Sequence, residues 1–377
     1  MTPLANLKSS TLHNGEWVAR QDIRHEPKVS ANRRDVDDQG PVRRPPATRK
    51  RPRLIAARIA TLVVGVLNSA VALAQSDFPA RTITMIVPFA AGGPTDVVGR
   101  IVAERMSRAL GQQIVVENVV GAGGTTAATR EMRAAPDGYT IMLGHMGTHG
   151  AAVGLYPKLA YNPSTDFAPI GEVAGMPVFV LARKDLPATD FAEFASYAKQ
   201  HAAELTMAHA GVGSVSYVTC QLFNSIVGLK PKMVSYQGTG PAMYALVSGR
   251  VDYMCDQVVA VVPQVVPGNV KAILVGTPAR NPALPQIPTA KEAGLPQFQA
   301  SAWNALFAPK NTPQPIVATL NAALIQALDD DGVRKRLLDL GSDIPDTAAR
   351  SPEALAALVK NEMAKWTPVL RPAEPLD

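Results

Sequence analysis

The chain has 377 residues, 47% of them hydrophobic and 5% aromatic, which is enough apolar material for two buried cores and too much for a disordered protein. Its formal charge of +6 hints at nucleic acid, but residues 1–74 carry 13 Lys and Arg against 6 Asp and Glu, leaving 24 basic and 25 acidic residues beyond them. The remainder is close to neutral, so binding of nucleic acid through a basic face is not expected.

Residues 1–48 mix charges without an apolar period and read as a disordered leader or a misassigned start. Between 49 and 74 the pattern changes. Arg49-Lys50-Arg51-Pro52-Arg53 is a basic n-region, Ile59 to Leu73 is an apolar run, and Ala72-Leu73-Ala74 fits a small-residue cleavage site. A secretory signal peptide cut after Ala74 is therefore predicted, with an exported product. The apolar run is shorter than the roughly 20 residues that cross a bilayer, and no cysteine follows the cleavage site to take a lipid.

From Thr82 strands and helices alternate. Ile83 to Val87 reads as a strand, followed by a helix to Leu110 with Thr95 or Asp96 as its cap, a strand Ile114 to Glu117, a helix to Ala134 and a strand Thr140 to Leu143. A second series starts at Val178 to Ala182. It continues with a helix Asp190 to His201, a strand Leu205 to Ala208, a helix to Val227, a strand Met233 to Tyr236, a helix Pro241 to Val247 and strands Val251 to Cys255 and Lys271 to Val275. After a proline-rich connector, Ser301 to Phe307 leads into two helices ending near Trp366. This is βαβ order, which predicts α/β architecture with mostly parallel sheets. The last helices have no sheet of their own, so they are expected to return to the first unit. Lobe one then comprises 75–177 plus 300–377 and lobe two 178–299, with two crossings and a cleft between them.

Glycine loops follow the strand ends at Phe89 to Asp96, Gly121 to Thr126, His145 to Thr148 and Gly211 to Ser216. Ligands of open α/β sheets bind beyond the carboxyl ends of the strands, where loop and helix N-H groups are free. Convergence of these loops, with Ala91, His145 and Thr148 among the lining residues, predicts a cavity that grips an anion. Asp96, Ser214 and Ser216 are equally well explained as helix caps. Cys220 and Cys255 are the only cysteines, and in an oxidising compartment they form either a disulfide or two separate buried thiols.

The ordered stretches Ile86-Val-Pro-Phe-Ala-Ala-Gly-Gly93 with Asp96, Val116-Glu-Asn118 with Gly121-Ala-Gly-Gly124, Pro136-Asp-Gly-Tyr-Thr140, Tyr161-Asn-Pro163 and Asp166-Phe-Ala-Pro-Ile170 carry a resemblance. Gly238-Thr-Gly-Pro-Ala242, Pro288-Thr289, Glu292-Ala-Gly294 and Trp303 with Ala308-Pro309 extend it. From Phe78 to Trp366 the chain resembles the extracytoplasmic solute-binding receptors of tripartite tricarboxylate transporters, the Bug-type receptors. The resemblance implies a type II periplasmic-binding-protein fold that pinches a ligand carboxylate and closes on it. Carried onto this sequence, the ligand set is Phe89, Gly92, Gly93 and Asp96, then Gly123, Gly124 and Thr125, and from lobe two Gly213, Ser214, Ser216 and Asp256. The implied partners are a small organic carboxylate and the permease subunits of such a transporter, with the receptor monomeric and without cofactor or metal.

Val119-Val120 stands where many members carry Arg-Pro, and Tyr217 where many carry a histidine after the serine loop. Both changes favour a ligand with more apolar surface, an aromatic or branched acid, over a tricarboxylate. Enzymatic alternatives are weaker. Gly121-Ala-Gly-Gly-Thr-Thr126 lacks the third small residue and the distal acid of a dinucleotide site, no Walker lysine is present, and no Gly-x-Ser-x-Gly elbow occurs. A metal-binding or sensory role using His145, His149 and His209 is the other reading, although His-x3-His lacks supporting cysteines or carboxylates.

Overall fold

A computed structural model describes residues 78–370, so the leader and signal-peptide expectations lie outside the described residues. In chain order the strands are β1 (Ile83–Val87), β2 (Ile114–Asn118), β3 (Thr140–His145), β4 (Phe167–Arg183), β5 (Thr206–His209), β6 (Lys232–Ser235), β7 (Tyr253–Gln257), β8 (Val270–Val275) and β9 (Ser301–Pro309). The helices are α1 (Pro94–Leu110), α2 (Thr125–Met132), α3 (Ala152–Leu155), α4 (Phe191–Gln200), α5 (Val215–Val227), α6 (Thr239–Val247), α7 (Val258–Val265), α8 (Gln314–Asp329), α9 (Asp331–Asp339) and α10 (Pro352–Leu370).

The strands run in the order β2-β1-β3-β9-β4-β7-β5-β6, with β8 also on β4. Parallel pairing joins β1 to β2 and β3, and β5 to β6 and β7. Antiparallel pairing joins β9 to β3 and β4, and β4 to β7 and β8. The sheets are thus mixed, which corrects the expectation of mostly parallel ones: β4 and β9 enter from distant parts of the chain and no crossover helix dictates their direction.

β4 organises the molecule. Its first half, Phe167 to Pro177, pairs with β9, and its second half, Val178 to Ala182, pairs with β7 and β8. The two α/β lobes share this strand, and Ala300 closes the return crossing through bonds between its carbonyl and Val178 N-H and between its N-H and the Gly276 carbonyl. Register shifts at Pro169/Gly171 and Glu172/Ala174 absorb the prolines and glycines that hide this strand in the sequence. α8 packs on α1 and β4, and α10 lies over the turn 146–151, with Trp366 buried and its indole N-H donated to Glu362. α7 and α9 were not anticipated. Among the described residues no helix is long and apolar enough to cross a membrane.

Two further local differences bear on the site. α1 begins at Pro94 with Gly93 as its N-cap, not near Val97, and Gly93 provides no side-chain cap. Proline at the first helical position is preset in φ and loses no hydrogen bond there, so the helix starts one turn earlier than an Asp cap suggests. Cys220 and Cys255 form a disulfide between α5 and β7, with Cα atoms 5.4 Å apart.

Candidate functional site

The first glycine loop is held from within the protein. Asp96, only 2% exposed, accepts the Gly92 N-H at 2.8 Å, Arg100 at 2.9 Å and Asn118 Nδ2 at 2.8 Å. Asn118 Nδ2 also donates to the Phe89 carbonyl at 2.9 Å. Burial alone would raise the Asp96 carboxyl, but the hydrogen bonds from Arg100, Gly92 and Asn118 hold it below the usual range. Gly92 adopts φ +79°, a conformation that favours glycine, so the loop bends sharply at the point where Asp96 pins it. Asp96 therefore shapes the loop and does not face the cavity.

That loop forms one wall of a cavity of about 130 Å³. Phe89 to Thr95 come from lobe one, and Ala210, Ser214 to Ser216, Gly238 to Pro241 and Gln257 from lobe two. Three helices begin here: α1 at Pro94, α5 at Val215 and α6 at Thr239, while Gln257 is the N-cap of α7. First-turn amide hydrogens have no intrahelical acceptors, and each helix adds partial positive charge at this end. No Lys, Arg, Asp or Glu side chain lines the cavity among the described residues. The arrangement is an anion site built from backbone.

The serines serve that backbone. Ser214 caps α5 by accepting the Tyr217 N-H at 3.2 Å and donates to the Gly211 carbonyl at 2.7 Å. Its oxygen lies 3.0 Å from Ser216 Oγ, which itself accepts the Ala210 N-H at 2.9 Å. With the Ser214 hydrogen on Gly211, Ser216 is the donor of that contact, and both hydroxyl hydrogens are spent on the loop. The amide hydrogens of Val215 and Ser216 then remain for a ligand.

A second chamber of about 570 Å³ adjoins the first through the shared residues Phe89, Ala90, Ala210 and Gly238. Val120, Gly121 to Gly124, Tyr156, Val212 and Tyr236 line it. Gly123, at φ +63°, is the tight point: a Cβ there would run into the Val212 carbonyl oxygen and the Tyr156 hydroxyl. Tyr156 Oη lies 3.1 Å from the Ala122 carbonyl of lobe one and 3.1 Å from the Val212 carbonyl of lobe two.

Of the residues expected at the site, Phe89, Ala91, Gly92, Gly93, Ser214 and Ser216 line the smaller cavity, and Gly123 and Gly124 the larger. Thr125, Gly213 and Tyr217 stand beside the chambers without lining them. Thr125 donates to Ala122 O at 2.9 Å, and Tyr217 packs edge-on to His209 with ring centroids 5.0 Å apart.

His145 and Thr148 are buried. His145 accepts the Gly147 N-H at 2.6 Å and stacks behind Phe89 at 4.7 Å, and Thr148 Oγ1 lies 2.9 Å from His149 Nδ1. Burial lowers both His145 and His149 to about 3, so each imidazole is neutral. His149 stacks on Phe307 and His209 accepts the Gly211 N-H at 3.2 Å, so Nδ1 of each histidine is engaged in structure, while Nε2 of His145 and of His149 is buried without a partner. Among the described residues no three His, Cys, Asp or Glu are grouped to hold a metal.

Asp256 is buried beside α6 with Oδ1 on the Gln257 N-H at 2.8 Å and Oδ2 without a partner. Sequence reasoning passed over Gln257, Tyr156 and Tyr236. It used Gly238 to Ala242 only as a marker of resemblance, although a glycine pair before an apolar helix is the signal that points to a third helix N-terminus.

Comparison with known proteins finds relatives of the same fold. The family model described as tripartite tricarboxylate transporter family receptor matches residues 98–374. MatC from Rhodopseudomonas palustris, solved with bound malate, is 54% identical with a TM-score of 0.75, the match covering 78% of this chain and all of that one. The periplasmic binding protein BugD is 41% identical with a TM-score of 0.75, over 78% of this chain and 97% of BugD. A second R. palustris protein, solved with adipate, is 33% identical with a TM-score of 0.74, over the same shares of the two chains.

Proposed function

Because the chain belongs to the tripartite tricarboxylate transporter family of receptors, a family of solute-binding proteins, we propose that it captures a small aliphatic carboxylate in the cleft and presents it to the permease subunits of such a transporter. The observation that carries this reading is the meeting of three helix N-termini on a cavity without side-chain charge. Such a site stabilises an anion through fixed N-H groups, at roughly 1.5–3 kcal/mol for each charge-assisted hydrogen bond. Three or four of them support micromolar affinity after ordering costs. The receptors of this family are solute-binding proteins, and the role proposed for this chain is likewise capture.

The ligands named for MatC and for the adipate-bound relative are unbranched. Tyr217 packs on His209 outside both chambers, which removes one of the two reasons to expect an aromatic acid; Val120 remains in the larger chamber. The protein acts as an exported monomer, released by cleavage after Ala74. A thermal-shift and calorimetric screen of the purified protein tests the reading, with malate, succinate, adipate, benzoate, citrate, amino acids and nucleotides. Micromolar saturation by an aliphatic carboxylate is expected. Stabilisation by a nucleotide alone, or by none of the acids, would overturn it.

A further inference from the structure

β7 ends in two polar residues, and only the second lines the cavity. Gln257 stands in the wall, while Asp256, 1% exposed, lies one residue behind it. Asp256 Oδ1 accepts the Gln257 N-H at 2.8 Å, and Oδ2 is buried without a partner. A buried carboxylate is tolerated where a cation or several donors face it. Here one oxygen meets a single N-H and the other meets nothing, so the protonated form is favoured, and burial pushes the carboxyl up to about 7.

The elements around Asp256 bring no cation to it. On β4 its partner is Phe179, and the charged Arg183, Asp252 and Lys271 lie toward the opposite end of β7. β5 ends in His209, which burial lowers and so keeps neutral from neutral pH upward. α5 carries the Tyr217 phenol, α6 that of Tyr244, and α7 has no titratable residue. Tyr253, on β7 itself, donates its hydroxyl to Asn224. The loop after α9 meets Val258 at Gly341, and its own carboxyl, Asp343, is likewise raised by burial.

α7 begins at Val258, two residues beyond Asp256, with its N-terminus at the cavity wall where Gln257 caps it. A ligand anion in front of this wall and an ionised Asp256 behind it draw on the same positive helix end and repel one another across a buried space. No charged side chain lines the cavity to offset that repulsion. We propose that capture is proton-coupled, the anion being held with Asp256 protonated, so that binding at and above neutral pH takes up one proton from solvent onto Asp256. This rests on the carboxylate-receptor reading above.

Below about pH 7 Asp256 is protonated with or without ligand, and affinity is independent of pH. Above it the free carboxylate must first take a proton, and affinity falls by up to about tenfold per pH unit. Isothermal calorimetry on the full protein with malate, succinate and adipate, all ionised from pH 6.5 to 8.5, is expected to show the dissociation constant of a bound acid rising about tenfold or more across this range. Titrations at pH 8 in two buffers of different ionisation heat should count close to one proton taken up per ligand. Asp256→Asn keeps an oxygen for the Gln257 N-H and removes the ionisation. With its melting temperature as the check on folding, it is expected to bind at pH 8.5 within about twofold of its affinity at pH 6.5 and to take up no proton. The proton count on the wild-type protein needs no variant. A count of zero with a flat affinity profile, or a folded Asn variant that keeps the wild-type slope, would overturn the role of Asp256 and leave the receptor reading intact. A wild-type protein that binds none of the three acids at any pH would overturn both.

Discussion

Burial pushes the Asp256 carboxyl up to about 7, against the opposing effect of the hydrogen bond from the Gln257 N-H. Its ordinary value is 3.8, so the folded state holds this proton more tightly than the unfolded chain does. The stabilisation is full below about pH 4 and is lost as the pH rises through 7. Asp256→Asn keeps an oxygen for the Gln257 N-H and removes the ionisation. The variant should melt higher than wild type at pH 8, by an amount corresponding to at most about 4 kcal/mol, and no higher at pH 4. Thermal melts across pH 4–8 check this; parallel pH profiles for the two proteins would show that Asp256 stays charged and solvated. A residual slope is expected in the variant, because burial, reinforced by Asp346 and Glu362, also raises Glu172 to about 7, and burial raises Glu131 well above its ordinary value.

The Cys220–Cys255 disulfide ties α5 to β7, the helix and the strand that deliver Ser216 and Gln257 to the cavity. Closing a loop of this length, 35 residues, stabilises by roughly 3–4 kcal/mol in the chain-entropy model. Replacing both cysteines by alanine should lower the unfolding free energy of the oxidised protein by that amount, read as an earlier denaturation midpoint, and reductant should then have no further effect on the variant. Equal midpoints for wild type and variant would mean that the bridge does not form in solution. The helices at this site were legible in the sequence, because glycine turns and capping residues are local signals, but the pattern puts two of their starts about one turn or less too late: α1 begins at Pro94 instead of near Val97, and α6 at Thr239 instead of Pro241. β4 was legible only in its second half. Pro169, Gly171, Gly175 and Pro177 imitate a loop, and the strand exists because distant β9 supplies its ladder. Asp96 and His145 looked like ligand residues from their position in the loops, yet both turn inward to hold the loop that carries Phe89. Gln257 left no signal, since a lone amide after a strand has no pattern until the cavity exists.

The two lobes touch where their loops carry no side chain. Gly123 of lobe one approaches Gly213 of lobe two, and the Tyr156 hydroxyl, from the end of α3, faces a carbonyl in each lobe. A phenol has one hydrogen to donate, so it bonds Ala122 O and Val212 O by turns, and only the bond to Val212 depends on closure. A hydroxyl bonded across the two lobes is expected to favour closure by differential contact, which is what a latch requires. Tyr156→Phe removes the hydrogen bond and keeps the ring. Its dissociation rate for a bound carboxylate should rise about three- to tenfold with the association rate nearly unchanged, since entry precedes closure. Gly123→Ala acts more severely, because the methyl group meets Val212 O and Tyr156 Oη and the backbone at φ +63° resists a side chain. In that variant the lobes are held apart: small-angle scattering should show no ligand-dependent contraction, and affinity should fall at least about tenfold, the loss of the lobe-two hydrogen bonds. Stopped-flow binding separates the two mechanisms. A Tyr156→Phe protein that slows association while dissociating like wild type would place the hydroxyl on the entry path instead of the latch.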